Sequence, residues 1–101
     1  MRSEVVFHRL AAREAREARE AEAWYAARSS DTAERFRRAV AGAAERLAEG
    51  QGVHPVGTTR FRYVRVRRFP YRLIAHLQST AAIVIAVTHD RRRPGYWRRR
   101  R

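Results

Sequence analysis

Apolar and polar residues follow two different periods along the chain, one helical and one extended. After a short apolar run at residues 4–8, residues 10–28 contain no glycine or proline and consist mainly of alanine, arginine and glutamate, which favour helix. Apolar residues then recur at three- and four-residue steps, at Ala33, Phe36, Val40, Ala43 and Leu47. The pattern predicts a strand followed by two helices joined by a tight turn.

The ends of the second helix carry capping signals. Asp31 and Glu34 fit a capping box, in which each side chain bonds a free backbone N–H at the helix start. Gly50 follows the apolar stripe and is a natural helix stop. Trp24 and Tyr25, near the end of the first helix, are expected to lock the helical hairpin to the rest of the domain.

From residue 60 onward the period falls to two, which is typical of strands. Residues 60–67 alternate basic and apolar in two opposite phases, and the change of phase predicts a bulge or bend at Tyr63 and Val64. Residues 69–77 and 81–88 predict two more strands, the last apolar enough to be covered on both faces. Residues 51–59, with two glycines and a proline, predict a loop. The expected fold is α+β, in the order β-α-α-β-β-β, with one antiparallel sheet and a helical hairpin on one face.

Length and composition restrict the class of protein. One hundred and one residues with 45% hydrophobic content fit a single domain over residues 1–101, with a basic tail at about 90–101. The absence of cysteine excludes disulfides, thiol catalysis and cysteine-ligated zinc. The longest stretch without a charged residue, 73–89, is too short and polar to span a bilayer. We therefore expect a cytoplasmic protein without a membrane partner, and no pattern indicates a metal or cofactor.

The charge is concentrated in the second half of the chain. All 23 basic residues are arginines, and the net charge is +13. Residues 1–50 hold ten arginines and nine carboxylates, whereas residues 51–101 hold thirteen arginines and a single carboxylate, Asp90. This distribution predicts an anion-binding surface in the second half. Arg65, Arg67, Arg72 and Arg92 could all face one edge of the sheet.

Several segments, in this order, resemble the RelE/ParE family of toxins from bacterial type II toxin–antitoxin modules. They are Trp24-Tyr25, Phe36, Arg68-Phe69-Pro70-Tyr71-Arg72, Ala86-Val87-Thr88-His89 and Arg92-Arg93-Pro94-Gly95-Tyr96-Trp97. The resemblance covers almost the whole chain. It implies a growth-arresting protein that is neutralised by a cognate antitoxin in a hetero-oligomer. RelE-like members cleave mRNA in the ribosomal A site, whereas ParE-like members bind and poison DNA gyrase.

The ribonuclease alternative requires a base for the ribose 2′-OH, cations for the phosphate and an acid for the leaving oxygen. By resemblance, Arg72 lies where RelE-like enzymes hold a phosphate-binding arginine, and Tyr96 corresponds to a C-terminal tyrosine that contacts RNA. Arg92 would add a second cation. Residues 51–101 contain no glutamate or lysine, so only His54, His76, His89 and Asp90 could transfer the proton. His89 is the best of them, because the ordinary pKa of histidine suits acid–base work. A metal-independent endoribonuclease would therefore use His89, Arg72, Arg92 and Tyr96.

Other interpretations remain open. Where RelE itself has catalytic lysines, this chain has Tyr63 and Arg65, and this loss favours a non-enzymatic, ParE-like inhibitor of gyrase. His89 could equally serve only to hydrogen-bond the turn after its strand. A plain nucleic-acid-binding module is a third, remote possibility. The residues expected to contact gyrase, ribosome or nucleic acid are Arg65, Arg67, Arg68, Trp97 and Arg98.

Overall fold

A computed structural model describes residues 4–7, 12–78 and 81–91, in which a helical hairpin covers one face of a five-stranded sheet. The elements are β1 (Glu4–Phe7), α1 (Ala12–Ala26), α2 (Ser30–Glu49), β2 (His54–Pro55), β3 (Phe61–Val66), β4 (Tyr71–Leu77) and β5 (Ala81–His89). This confirms the predicted α+β class and the order of helices and main strands. The two-residue β2 is additional, and it lies in the segment that the sequence predicted as a loop.

The sheet has the strand order β1-β5-β4-β3-β2, so β5 is an interior strand, as its apolar sequence predicted. The pairs from β2 to β5 are antiparallel. In contrast, β1 runs parallel to β5, with Glu4 opposite Ala81, and the expectation of a wholly antiparallel sheet was wrong in this respect. The remaining elements lie between β1 and β5 in the chain and form the long crossover that a parallel pair needs.

The start of α2 also differs from the prediction. Its N-cap is Ser29, whose Oγ accepts a hydrogen bond from the Thr32 backbone N–H at 3.3 Å. Asp31 lies within the first turn, where its charge complements the helix dipole. Since serine and aspartate cap equally well, starting at Ser30 gives a longer helix at no cost. The predicted stop is confirmed, because Gly50 closes the helix in the left-handed region with φ 72°.

The phase change in β3 has a different cause from the one predicted. β3 pairs with β4 in unbroken register from Phe61 to Val66, so no bulge occurs at Tyr63 and Val64. Val64 and Val66 face the helices, whereas Phe61 and Tyr63 pack on the opposite face. Apolar residues therefore occur in both phases because both faces are covered. The register shift of the sheet lies between β4 and β5, at Ile74 and Ala75.

The main core lies between the helices and the sheet, and a smaller cluster lies on the other face. Phe36, Leu73 and Val84 belong to the main core and are at most 1% exposed. The second cluster is built around Ile74, Ile85 and Ala86, with Val56, Phe61, Tyr63 and Ile83 against it. We call the side of the sheet without helices the open face.

An aromatic cluster joins the helical hairpin to the turn between β3 and β4. The Tyr25 ring lies 5.2 Å from Phe36 and 5.0 Å from Phe69, and Phe36 also contacts Tyr71 at 5.3 Å between ring centres. Tyr25 therefore makes the locking contact that the sequence assigned to Trp24 and Tyr25 together. Trp24 is 54% exposed, with the Arg28 guanidinium 3.6 Å from its ring centre.

Candidate functional site

Two arginines lie side by side on the open face. Arg65 in β3 is directly opposite Arg72 in β4. The Asp90 carboxylate, just after β5, lies 3.0 Å from Arg65 Nη2 and 3.4 Å from Arg72 Nε. The backbone places Asp90 there, because its N–H donates to the Pro70 carbonyl at 2.9 Å. The one carboxylate of the second half therefore offsets the repulsion between two neighbouring guanidinium groups.

Arg72 is held by a further contact on the same face. Its guanidinium carbon lies 5.1 Å from the centre of the Tyr63 ring, a distance suited to a cation–π interaction. Its Nε is buried and is too poorly aligned with Asp90 for a hydrogen bond, so the pairing there is ionic. Arg65 is more exposed, with just over half of its side-chain surface accessible. Arg65 is therefore the member of the pair that an incoming anion can contact more readily.

His89 lies on the opposite face of the sheet from these arginines. It pairs with Tyr71, and the two rings are perpendicular at 5.0 Å. Successive side chains of a strand point to opposite faces. His89 therefore lies with Tyr71 on the side covered by helices, whereas Arg72 lies on the open face. Nδ1 of His89 accepts a hydrogen bond from the Arg91 N–H at 2.9 Å, so the histidine does bond the turn after its strand.

A cavity of about 400 Å³ lies between α1, the start of β4 and the end of β5, beside His89. Its lining consists of Glu17, Glu20, Ala21, Trp24, Tyr25, Pro70, Tyr71, Val87 and His89. Glu17 Oε1 accepts a hydrogen bond from the Val87 N–H at 3.2 Å. The pairing of β5 with β1 ends at Val84, so this bond satisfies a backbone group on the edge of β5 that β1 does not reach. Carboxylates from the first half thus lie near the histidine, but this lining includes no arginine.

Tyr71 lines this cavity, and its hydroxyl has a perturbed pKa. Burial raises its pKa above the ordinary value of 10.0, and the neighbouring Tyr25 raises the pKa further. Tyr71 therefore stays protonated at neutral pH. The cavity offers hydrogen-bonding and acid–base groups, whereas the open face offers cations.

Arg67 and Arg68 lie in the turn between β3 and β4, beyond the strand. Arg68 has φ 69°, in the left-handed region that favours glycine. The turn is fixed by a hydrogen bond from the Phe69 N–H to the Val66 carbonyl at 3.2 Å, and by the Phe69 ring in the aromatic cluster. The two arginines border the Arg65–Asp90 pair on one side and α2 on the other.

Four of the predicted site residues, Arg92, Tyr96, Trp97 and Arg98, lie outside the described residues, as does the basic tail beyond Arg91. Their roles stay predictions. Within residues 4–7, 12–78 and 81–91, no three histidine or acidic side chains cluster closely enough to hold a metal ion. Neither of the two described helices is long and apolar enough to cross a membrane.

Sequence reasoning missed the arginines of α2. It assigned the anion-binding surface to the second half, yet Arg35, Arg38 and Arg46 of α2 face the same turn as Arg67 and Arg68. A signal was present, because positions 35, 38, 42 and 46 follow one another at three- and four-residue steps and so share one face of a helix. The nine carboxylates of the first half nearly balance its ten arginines in the charge count, and so concealed this cluster.

The hairpin of helices on a sheet that is antiparallel from β2 to β5 is the arrangement of a RelE/ParE-type toxin. Residues 5–94 match the family model for the ParE toxin of the type II toxin–antitoxin system, parDE. The chain therefore belongs to the ParE toxin family, and membership implies an antitoxin partner. No curated protein sequence matches the chain significantly.

Proposed function

We propose that this toxin arrests growth by binding DNA gyrase, without cleaving mRNA, and that its cognate antitoxin neutralises it. The separation of charged groups across the sheet is the observation that supports this proposal. Arg65 and Arg72 lie on the open face, whereas His89 lies on the helix side. RNA cleavage needs a proton acceptor and phosphate-binding cations within reach of one scissile group. His89, the proton-transfer group expected from the sequence, is therefore on the wrong face to act with these cations, and the Asp90 carboxylate beside them is already ion-paired with both.

The contacts of His89 support the same conclusion. Its Nδ1 already accepts a hydrogen bond from the Arg91 N–H, and its ring packs against Tyr71. Both contacts fit a residue that fixes the end of β5. A toxin that acts by binding needs only a surface complementary to its target. The exposed guanidinium of Arg65 on the open face would supply a complementary surface for the anionic gyrase–DNA complex.

Cell-free synthesis allows the target to be tested without arresting a producing culture. The purified chain is added to gyrase with relaxed plasmid, and both supercoiling and linear, cleaved DNA are measured. In parallel, it is added to a translation reaction, and mRNA cuts are mapped by primer extension. We expect loss of supercoiling and accumulation of cleaved DNA, with no new mRNA ends. Ribosome-dependent mRNA cuts with unaffected gyrase would overturn the proposal.

Substitution of His89 tests whether toxicity requires a proton-transfer group at this position. In His89→Asn the amide oxygen can take the place of Nδ1 as the acceptor for Arg91, while the proton-transfer group is lost. For a gyrase inhibitor we expect toxicity within about twofold of wild type, whereas a ribonuclease would lose about 10²–10⁴ in rate. A variant that melts like wild type but is harmless would contradict the proposed mechanism.

Loss of the open-face cations gives the complementary test. Arg65→Gln should weaken gyrase inhibition, because the more exposed cation of the pair is removed. Arg16→Gln is the matched control, since it removes one exposed arginine from α1 and changes the net charge equally. Equal inhibition by both variants would show that the open face does not contact the target.

A further inference from the structure

A groove between α2 and the turn that joins β3 to β4 is lined by arginines on two walls. It has a volume of about 540 Å³. Arg35, Arg38 and Arg46 belong to the wall formed by α2, and Arg67 and Arg68 belong to the wall formed by the turn. The lining that the described residues form includes no carboxylate. We call it the arginine groove, and because it borders α2 it is a different surface from the open face.

The cations of the arginine groove are only partly neutralised. Arg38 Nε lies 3.3 Å from a carboxylate oxygen of Glu34. Arg46 donates to the Arg65 backbone carbonyl, which is a neutral oxygen. Burial, and then the charge of Arg67, lower the pKa of Arg46, so two cations lie close together where the two walls meet. A bound anion would relieve this repulsion.

The arginines of α2 form a row along the groove. Positions 35, 38, 42 and 46 follow one another at three- and four-residue steps and so share one face of the helix. Arg35 and Arg46 are eleven positions apart, which corresponds to about 16 Å along the helix axis. A free phosphate could contact only a short part of this row, whereas a strand with a charge on every residue could contact it at several points. The row therefore favours a nucleic-acid strand.

The floor of the groove is apolar. Ala39 and Phe69 are half-buried there, and Gly42 leaves a gap on the helix surface. Bases gain stacking energy on such a surface whatever their sequence. Each nucleotide of a single strand supplies a phosphate for the walls and a base for the floor. The bases of a duplex are already paired and stacked, so the groove matches a single strand.

The polar groups of the lining favour DNA over RNA. The ribose 2′-hydroxyl is the group by which proteins distinguish the two. The Thr32 hydroxyl already accepts a hydrogen bond from Arg35 at 3.1 Å, and guanidinium groups can only donate. With no carboxylate among the described lining residues, the proton of a 2′-hydroxyl would lack a strong acceptor in the groove.

We propose that the arginine groove binds single-stranded DNA, with the phosphates against its two walls and the bases on its floor. This contact goes beyond the proposed function, because the toxin makes it without gyrase. It also leaves Arg65 and Arg72 uncovered, since these two arginines lie on the open face.

Three oligonucleotides of one length test this without any target enzyme. The probe is a fluorescein-labelled strand of about 12 deoxyuridine nucleotides, and binding is followed by fluorescence anisotropy. An abasic strand has the same phosphates and should bind about tenfold more weakly or worse, because it leaves the floor unfilled. A uridine strand adds only the 2′-hydroxyls and should bind about threefold more weakly or worse. Equal binding of the deoxyuridine and abasic strands, or tighter binding of the uridine strand, would overturn the proposal.

Charge-matched variants locate the binding. Arg35→Gln with Arg67→Gln removes one cation from each wall, and should weaken binding of the deoxyuridine strand about tenfold or more. Each lost phosphate contact also reduces the slope of log K against log salt concentration by about 0.7, so this pair should reduce the slope by about 1.4. Arg16→Gln with Arg19→Gln removes two exposed arginines from α1, and should change affinity by less than about twofold with the same slope. Equal effects of the two pairs would mean that net charge alone attracts the strand, and would overturn the proposal.

A charge-neutral variant tests the floor. In Gly42→Leu a side chain fills the gap, and its Cβ would lie 3.8 Å from Arg46 Nη1, an ordinary contact. Leucine is a far better helix former than glycine, so the variant should melt no lower than wild type. We expect the deoxyuridine strand to bind as weakly as the abasic strand, whose own affinity should not change. Unchanged binding of the deoxyuridine strand, or equal weakening of both strands, would overturn the proposal. Gyrase inhibition is measured separately, so failure of this proposal is distinguishable from failure of the proposed function.

Discussion

Truncation of Phe36 gives the sharpest test of how the helical hairpin is attached to the sheet. Its ring is 1% exposed and lies between α2, α1 and the turn after β3. The centres of the Tyr25, Phe69 and Tyr71 rings lie 5.2, 5.1 and 5.3 Å from that of Phe36. Phe36→Ala therefore removes the ring that all three partners contact, and leaves a cavity in the middle of the aromatic cluster.

The expected loss of stability is large for a domain of this size. Phenylalanine-to-alanine changes in a core cost about 3–5 kcal/mol, because burial is lost and the cavity does not close fully. Small domains have a total stability of about 5–15 kcal/mol. Each kcal/mol lowers Tm by about 4–8 °C in a domain of this length, so a fall of about 12–40 °C is expected.

The measurement is thermal unfolding followed by far-ultraviolet circular dichroism, with urea unfolding as a check on ΔG. Phe36→Leu is the control, since it keeps more of the apolar volume, leaves a smaller cavity and should therefore cost less than Phe36→Ala. If Phe36→Ala melts within about 4 °C of wild type, a drop worth about 1 kcal/mol, the aromatic cluster does not hold the hairpin in place and the reasoning is refuted.

Three further changes test single contacts. Arg68→Gly should raise the free energy of unfolding by about 0.5–1 kcal/mol in urea, because it relieves the strain of a left-handed backbone. Arg67→Gly should lower it, because Arg67 has no positive φ and glycine only adds freedom to the unfolded chain. Glu17→Ala should leave the Val87 N–H without its acceptor and cost about 1–3 kcal/mol, with faster amide exchange at Val87, whereas Glu17→Gln keeps an acceptor. The raised pKa of Tyr71 means that the folded state keeps a proton which the unfolded state releases above pH 10.0, so the contribution of this group to stability should be constant below that pH and be lost above it. Tyr71→Phe should reduce this loss in a series of melts from pH 8 upward.

Features set by neighbouring residues were predictable from the sequence. The apolar stripe of α2 is confirmed, with Phe36 and Leu47 buried, because a period of 3.6 depends only on helix geometry. Gly50 ends that helix because few other residues adopt φ 72° without strain. The interior position of β5 was also predictable, since a strand covered on both faces must be apolar throughout.

Features set by distant residues were not predictable. The direction of β1 depends on a strand that starts at Ala81, and an apolar run of four residues has no preference for parallel or antiparallel pairing. Glu17 and Val87 are 70 positions apart, and nothing near either one indicates their hydrogen bond. For the candidate site, strand alternation places Arg65 and Arg72 on one face, but it does not reveal that Asp90 returns to pair with both.

The parallel pairing of β1 with β5 also affects when the toxin can fold during synthesis. β1 is the first described strand to leave the ribosome, and its partner residues, Ala81–Val84, are the start of the last. A nascent chain that ends before β5 lacks the strand that lies between β1 and β4, so these two cannot be joined into one sheet. Long-range pairing of this kind forms slowly, because the entropy of closing a long loop opposes it. Unfinished chains therefore cannot present the completed toxin surface, and their unpaired apolar strands favour aggregation.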